Sequence, residues 1–250
     1  MVRAVLFDLD DTLFDHRGCS QDGLDAARRC HDSLGAMPLA DLERLHATFL
    51  EQLHGDVMLG RVPLEEARLE RFRRLLAAAG ATPPEAVVAR TAAAYRDRYR
   101  EVRRAVRGAV PLLAALAGRV RIGIVSNNLF DEQLEKLRLC GLEPFVDALI
   151  VSERVGVSKP DAAIFAAALE QVACRADEAV MVGDSWTADI AGAQAAGIRP
   201  IWFNPMALPI PEGSEGVTQL RALEPLDAVI RMLGLEIEGP TTPSCRDDSR

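Results

Sequence analysis

Apolar and polar positions along this chain change rhythm twice. Ala4 to Phe7 is an unbroken apolar run that ends on Asp8-Leu9-Asp10-Asp11-Thr12. A short apolar run with no alternation reads as a strand covered on both faces. From about residue 16 to 105, Ala, Leu, Arg and Glu dominate, and apolar positions such as Leu45, Phe49, Leu69, Phe72 and Leu76 recur at helical spacing. Breaks fall at Gly35 to Pro38, Gly55 to Pro63 and Gly80 to Pro84. They divide the stretch into four or more helices with no strand, and its repeating apolar residues form that subdomain's own core.

From Gly108 onward, short Val- and Ile-rich runs alternate with helical patterns. Strands are predicted at Arg121 to Val125, Ala148 to Val151, Ala179 to Val182 and Pro200 to Phe203. Helices are predicted at Pro111 to Leu116, Asp131 to Leu139, Asp161 to Val172, Thr187 to Ala196 and Leu223 to Leu233. Such alternation means βαβ units and a parallel sheet. The expected fold is α/β, a doubly wound, Rossmann-like core of residues 1–15 and 106–235. A helical subdomain of residues 16–105 is inserted in it, and residues 236–250 are a disordered tail rich in Pro, Ser and charge.

The chemistry-bearing residues fall at strand ends. Asp8 and Asp10, Ser126 and Asn127, and Asp184 each follow the last residue or two of a predicted strand. Ligands of open α/β sheets bind along that edge. Asp8 and Asp10 are two apart and point the same way on an extended segment. Adjacent carboxylates repel, and a metal ion, a phosphoryl group or an acid/base division of labour would each account for the pair.

Composition narrows the classes of function. The 250 residues are 49% apolar and 26% charged, with 37 acidic against 29 basic side chains and a net charge of −8. That balance argues against nucleic acid as a partner. Arginines cluster from Arg96 to Arg107 and read as a solvated helix face. The five cysteines show no C-x-x-C pair and no zinc spacing, which suits reduced thiols in the cytoplasm. No signal-peptide layout and no apolar run of membrane-spanning length is present.

Four motifs, in order, carry a resemblance. Asp8-Leu9-Asp10-Asp11-Thr12, Ser126 with Asn127, Lys159-Pro160, and Gly183-Asp184-Ser185 with Asp189 look like those of the haloacid dehalogenase superfamily of phosphohydrolases. The branch is the one with a helical, C1-type cap inserted after the first strand. The match spans about residues 1 to 205, with the cap matched only by position and helical character. The resemblance implies that Asp8 is a nucleophile forming an aspartyl-phosphate, and that Asp10 is the general acid/base. It implies a Mg2+ site made by Asp8, Asp184 and the backbone carbonyl of Asp10. Asp189 reaches the metal through water or supports Lys159. Lys159, the Ser126 hydroxyl and the N–H groups of Asn127 and Asn128 hold phosphoryl oxygens, and the Thr12 hydroxyl fixes the turn. Asp11 departs from the commoner glycine.

Leu13 to His16 would be the hinge into the cap and Gly108 to Pro111 the return. His16, Arg17, His54 and Arg61 are candidate substrate contacts, although residues of these types in such positions are more often plain surface residues. The expected activity is Mg2+-dependent hydrolysis of a small phosphomonoester, a sugar phosphate or nucleoside monophosphate. A phosphomutase and a non-catalytic phosphate-ester binder are the alternatives. The substrate's identity and the oligomeric state stay open.

Overall fold

The computed structural model describes residues 1–212, 214 and 216–236; the expected tail from residue 237 on lies outside them. Strand β1 (Ala4–Phe7) shows why its sequence does not alternate. Val5 and Phe7 face one hydrophobic cluster, Ala4 and Leu6 face another, and all four are fully buried. Helices therefore cover both sides of the sheet.

After β1 come five helices: α1 (His16–Arg28), α2 (Asp32–Ala36), α3 (Leu39–Met58), α4 (Leu64–Ala78) and α5 (Glu85–Glu101). Two details differ from the sequence expectation. The first helical stretch breaks at Arg29 to His31, where the His31 side chain caps α2 by accepting from Ser33 N. Helix α3 runs through Gly55, which is exposed and leaves the backbone free to continue. Helices α1 and α5 pack closely because Gly23 has no side chain: a Cβ there would lie 2.8 Å from the Tyr95 ring. Phe72 and Leu76 are buried, and Leu45, Phe49 and Leu69 pack partly buried against the same cluster, which runs on into the sheet face bearing Val5 and Phe7.

The chain then builds α6 (Ala109–Leu116), β2 (Arg121–Ser126), α7 (Phe130–Leu139), β3 (Ala148–Val151), α8 (Ser152–Val155), α9 (Ala162–Gln171) and β4 (Ala179–Gly183). A π-helical segment, Trp186–Ala191, runs directly into α10 (Gly192–Ala195) where one α-helix is predicted. β5 (Arg199–Phe203), β6 (Thr218–Leu220) and α11 (Leu226–Met232) complete the described chain. All six strands are parallel, in the order β3-β2-β1-β4-β5-β6. Residues of α6, α7 and α11 cover one face, and residues of α9 and α10 cover the other. This is the doubly wound, Rossmann-like α/β architecture. β6 escapes the sequence reading because Thr-Gln-Leu carries no apolar run; it forms by pairing with the edge of β5. Among the described residues no helix is long and apolar enough to cross a membrane.

The order reverses at β1, with β2 on one side and β4 on the other. The crevice at the carboxyl ends of these three strands is the expected ligand site of such a sheet. Asp8 and Asp10, Ser126 and Asn127, and Asp184 all stand there.

Candidate active site

Leaving β1, the chain turns sharply. The N–H groups of Thr12, Leu13 and Phe14 converge on Leu9 O at 3.3, 3.0 and 2.9 Å. Asp11 sits in the left-handed region with φ 62°, which accounts for glycine being the commoner residue there. Aspartate tolerates that backbone better than most residues. The Asp11 carboxylate also accepts from Arg17 N at 2.7 Å, which ties the turn to the start of α1. The expected role of Thr12 does not hold. Its hydroxyl is buried without a hydrogen-bond partner, and backbone bonds close the turn instead.

Lys159 is the hub of the site. Its side chain is 2% exposed, and Nζ donates to Asp8 Oδ1, Asp189 Oδ1 and Val125 O, each at 2.6 Å. An ammonium has three protons, so all are used. Asn127 fixes the backbone of Lys159 from both sides. Its Oδ1 accepts from Lys159 N at 2.7 Å, and its Nδ2 donates to Lys159 O at 2.8 Å. Thus the Asn127 side chain positions the lysine.

Asp8, Asp184 and Asp189 bring carboxylate oxygens within 4.8 Å of one another. Asp189 reaches back over Gly183, where a Cβ would lie 2.3 Å from the Asp189 carboxylate; only glycine permits the approach. Ser185 N donates to Asp189 Oδ2 at 3.0 Å, which holds the carboxylate in place. Three carboxylates face a single ammonium. Burial, with Asp189 and Asp10 nearby, outweighs Lys159 and pushes the Asp8 pKa up to about 7. Burial, then Asp8 and Asp189, pushes Asp184 up to about 8. The Lys159 pKa is raised by Asp189 and Asp8 against the effect of its burial. An oxygen-only set with excess negative charge fits a hard divalent cation. The cluster is therefore chemically able to hold a metal.

Asp10 lives in a different environment from Asp8. Lys136 Nζ contacts its Oδ1 at 2.5 Å, Gln133 Nε2 donates to Oδ2 at 3.0 Å, and Asn128 Nδ2 donates to Oδ2 at 3.3 Å. Burial alone would raise its pKa. Lys136, then His16, together with the hydrogen bonds from Lys136 and Gln133, hold it well below the usual carboxylate range. Gln133 also donates to Ser126 Oγ at 2.5 Å, so one amide links the ends of β1 and β2.

Sequence reasoning missed Gln133 and Lys136. Both lie on α7 and read as ordinary polar positions of an amphipathic helix. Yet Gln133 is 0% and Lys136 3% exposed, while Leu139 on the same helix is 58% exposed. The helix turns polar residues inward because buried Asp10 needs donors and a counter-charge. The one available signal was their i, i+3 spacing on a helix that follows a strand-end Ser-Asn.

A cleft of about 850 Å3 opens above Asp10 between the sheet edge and the helical bundle. Of the candidate substrate contacts, His16 and His54 line it. His16 Nδ1 lies 2.8 Å from the Tyr99 hydroxyl and 4.0 Å from Asp10 Oδ1. His54 Nε2 lies 2.9 Å from Asn127 O, which couples α3 to the end of β2. Arg17 and Arg61 are not among the lining residues. Arg17 reaches the Met206 sulfur, and Arg61 pairs with Asp56 at 3.2 Å on the surface.

Known proteins share this arrangement of chain and sheet. Residues 2–197 match the family model of haloacid dehalogenase-like hydrolases. The ribulose-1,5-bisphosphate 5-phosphatase of Halopiger xanaduensis is 35% identical over 213 residues, which span 82% of this chain and 86% of the relative. A glyceraldehyde 3-phosphate phosphatase of Methanopyrus kandleri is 32% identical over 199 residues, 79% of this chain and 82% of the relative. The crystal structure of the HAD-hydrolase YfnB from Bacillus subtilis, bound to magnesium, superposes with a TM-score of 0.71 at 29% identity. It covers 92% of this chain and 98% of that one. With the family match extending over the strand ends that carry Asp8, Asp10, Ser126 and Asp184 and over the loop that carries Lys159, the chain belongs to the haloacid dehalogenase-like hydrolases.

Proposed function

We propose that the chain is a Mg2+-dependent phosphatase acting on a small phosphomonoester through an aspartyl-phosphate. The observation that carries this reading is the placement of Asp8. It is held by Lys159, clustered with Asp184 and Asp189, and two residues from Asp10, which lines the cleft. A carboxylate oxygen of Asp8 attacks phosphorus, and the bond to the leaving oxygen breaks. Asp10 supplies that oxygen's proton, then takes one from the water that opens the aspartyl-phosphate, which restores Asp8 and releases phosphate. In the present arrangement Asp10 is ionised against Lys136, as the second half of the cycle requires. For the first half it must carry a proton, so a substrate oxygen has to displace or loosen the Lys136 contact.

Mg2+ held by Asp8, Asp184 and the backbone carbonyl of Asp10 would cancel the repulsion between Asp8 and the phosphoryl oxygens. Lys159 and the Ser126 hydroxyl share the phosphoryl charge, and Asp189 keeps Lys159 aimed at Asp8. Helices α1 to α5 act as the cap that closes the cleft and keeps bulk water out. Sugar phosphates and nucleoside monophosphates are the substrate classes, and the substrates named for the two relatives above are phosphates of small sugars.

The purified protein is expected to release phosphate from p-nitrophenyl phosphate when Mg2+ is supplied, and to stop on chelation. Absence of turnover at saturating Mg2+ would sink the reading.

A pH dependence follows from the raised carboxylates. Asp8 and Asp184 titrate at about 7 and about 8 in the folded chain, against an ordinary 3.8. Groups with raised folded values stabilise the metal-free fold below about pH 4, and that contribution is lost as pH rises through 7 to 8. A divalent cation needs both carboxylates ionised, so its stabilisation grows over the same interval. The rise in melting temperature on adding Mg2+ is therefore expected to be larger at about pH 8.5 than at about pH 6. An increment independent of pH would show that these carboxylates do not bind the ion.

A further inference from the structure

The cleft that Asp10 lines contains a charge with no partner. Arg71, on α4, is 9% exposed and lines the cleft. Among the described residues it forms no ion pair, and its Nε is buried without a hydrogen-bond acceptor. What it does have is aromatic surface, with Cζ 5.4 Å from the centre of the Tyr95 ring and 5.7 Å from that of Phe72. Ring faces attract a cation but do not accept its in-plane N–H groups, of which a guanidinium has five.

Every other Arg or Lys lining the cleft has a carboxylate partner. Lys136 meets Asp10 at 2.5 Å, Arg68 meets Glu132 at 3.0 Å, Arg96 meets Glu65 at 2.8 Å, Arg103 meets Glu135 at 2.7 Å, and Arg100 also pairs with Glu135. The two nearby histidines offer no negative charge and are held toward their neutral forms. Burial keeps His46 well below its ordinary pKa, and burial likewise lowers His16 despite Asp10. Holding a buried guanidinium unpaired is costly, and folded chains rarely tolerate it without a use.

Arg71 and Asp10 line one cleft, and His16 lines it too. His16 is 4.0 Å from Asp10, and the charge of Arg71 acts on its ring. A small molecule that occupies this cleft with its phosphoryl group at the sheet edge would bring its other end against the helical wall that carries Arg71. An uncharged sugar or base would leave the guanidinium unpaired, whereas an anion would satisfy its planar fork with two parallel hydrogen bonds.

We propose that Arg71 receives a second anionic group of the substrate, so that the preferred phosphomonoesters carry a carboxylate or a second phosphate at the end remote from the transferred phosphoryl. This inference rests on the phosphatase reading above, and its test separates the two.

Two matched substrate pairs isolate the second anion. In 3-phosphoglycerate against glycerol 3-phosphate, a carboxylate replaces a hydroxymethyl group. In fructose 1,6-bisphosphate against fructose 6-phosphate, a phosphate replaces a hydroxyl. The wild type is expected to favour the anionic member of at least one pair by about ten- to a hundredfold in kcat/KM. The pair that responds identifies the anion. Arg71→Met is expected to bring that ratio close to one, and Arg71→Lys to keep part of it, since the charge remains without the fork.

Wild-type ratios near one in both pairs, with p-nitrophenyl phosphate still hydrolysed, would overturn the inference and leave the phosphatase reading standing. A ratio that survives in folded Arg71→Met would overturn it as well. If p-nitrophenyl phosphate is not hydrolysed, the phosphatase reading fails, and calorimetric affinities for the same pairs decide the inference alone. A preference lost on substitution supports it, and equal affinities overturn it. Should Arg71→Met not fold, the ratios in Arg71→Lys and Arg71→Gln take its place.

Discussion

Asp8→Asn is expected to lower phosphate release by about 10⁴-fold or more while leaving the fold intact, as removal of an attacking nucleophile does. Asparagine matches aspartate in shape, so the 2.6 Å contact with Lys159 can persist through the amide oxygen, and Lys159 keeps its ion pair with Asp189. What is lost is the charge and lone-pair density that attack phosphorus. The stability change runs in the other direction. Because the Asp8 pKa is raised from 3.8 to about 7, the metal-free fold carries the cost of ionising it once the pH exceeds that value. A neutral amide removes the penalty, so at about pH 8 without metal the variant should melt no lower than the wild type. Melting curves and phosphate release measured on the same preparation check both halves. Residual turnover above about one per cent would exclude Asp8 as the nucleophile.

That expectation rests on residues that were legible before any coordinates. β1 was readable because both its faces are buried, which leaves an apolar run ending abruptly in carboxylates. The strand ends bearing Ser126 and Asp184 were readable for the same reason, and the parallel order follows from their alternation with helices. β6 was not, because its three residues earn their place by edge pairing and have no pattern of their own. The π-helical widening at Trp186–Ala191 was equally hidden. An α-helical and a π-helical turn give nearly the same polar pattern over so short a segment, yet this segment carries Asp189 to Lys159.

The least legible part was the set of residues that serve other residues. Asn127 was expected to lend a backbone N–H to a phosphoryl oxygen; its side chain grips the backbone of Lys159. Gln133 and Lys136 have no pattern in the sequence beyond their spacing that sets them apart on α7, yet they are the partners of Asp10. The arginine cluster from Arg96 to Arg107, on α5 and just after it, reads as a solvated face. Arg96, Arg98 and Arg100 are largely that, but the Arg103 side chain is 3% exposed and pairs with Glu135 across to α7. In each case the decisive neighbour is far away in sequence, so hydrophobic period cannot reveal it. The polar residue follows a buried charge that only the folded chain brings near.

Lys159→Met should be the most damaging single change to stability within the site. The methionine fills a similar volume but returns none of the three hydrogen bonds of Nζ. Asp8 and the 1% exposed Asp189 are then left facing Asp184 with no nearby cation, and Val125 O loses a donor. Breaking a buried ion pair by removing one partner costs about 3–5 kcal/mol. In the wild type the Lys159 pKa is raised by Asp189 and Asp8, so its stabilisation is fully present below its ordinary 10.5 and lost only as pH rises beyond that. In the variant Asp8 and Asp184, already raised, lose the opposing charge of Lys159 and shift further upward. Their protonated forms are favoured, so the fold is least penalised in acid and most penalised where they must ionise. The gap in unfolding free energy between wild type and variant is thus expected to be widest at about pH 7 to 8, to narrow towards about pH 5, and to narrow again when Mg2+ is added at neutral pH. Activity should fall about 10³-fold even where the variant is folded, because the phosphoryl charge loses a fixed cation. Denaturant titrations at three pH values, with and without Mg2+, read all of this. A gap that is small and constant with pH would mean that Lys159 does not balance the carboxylates.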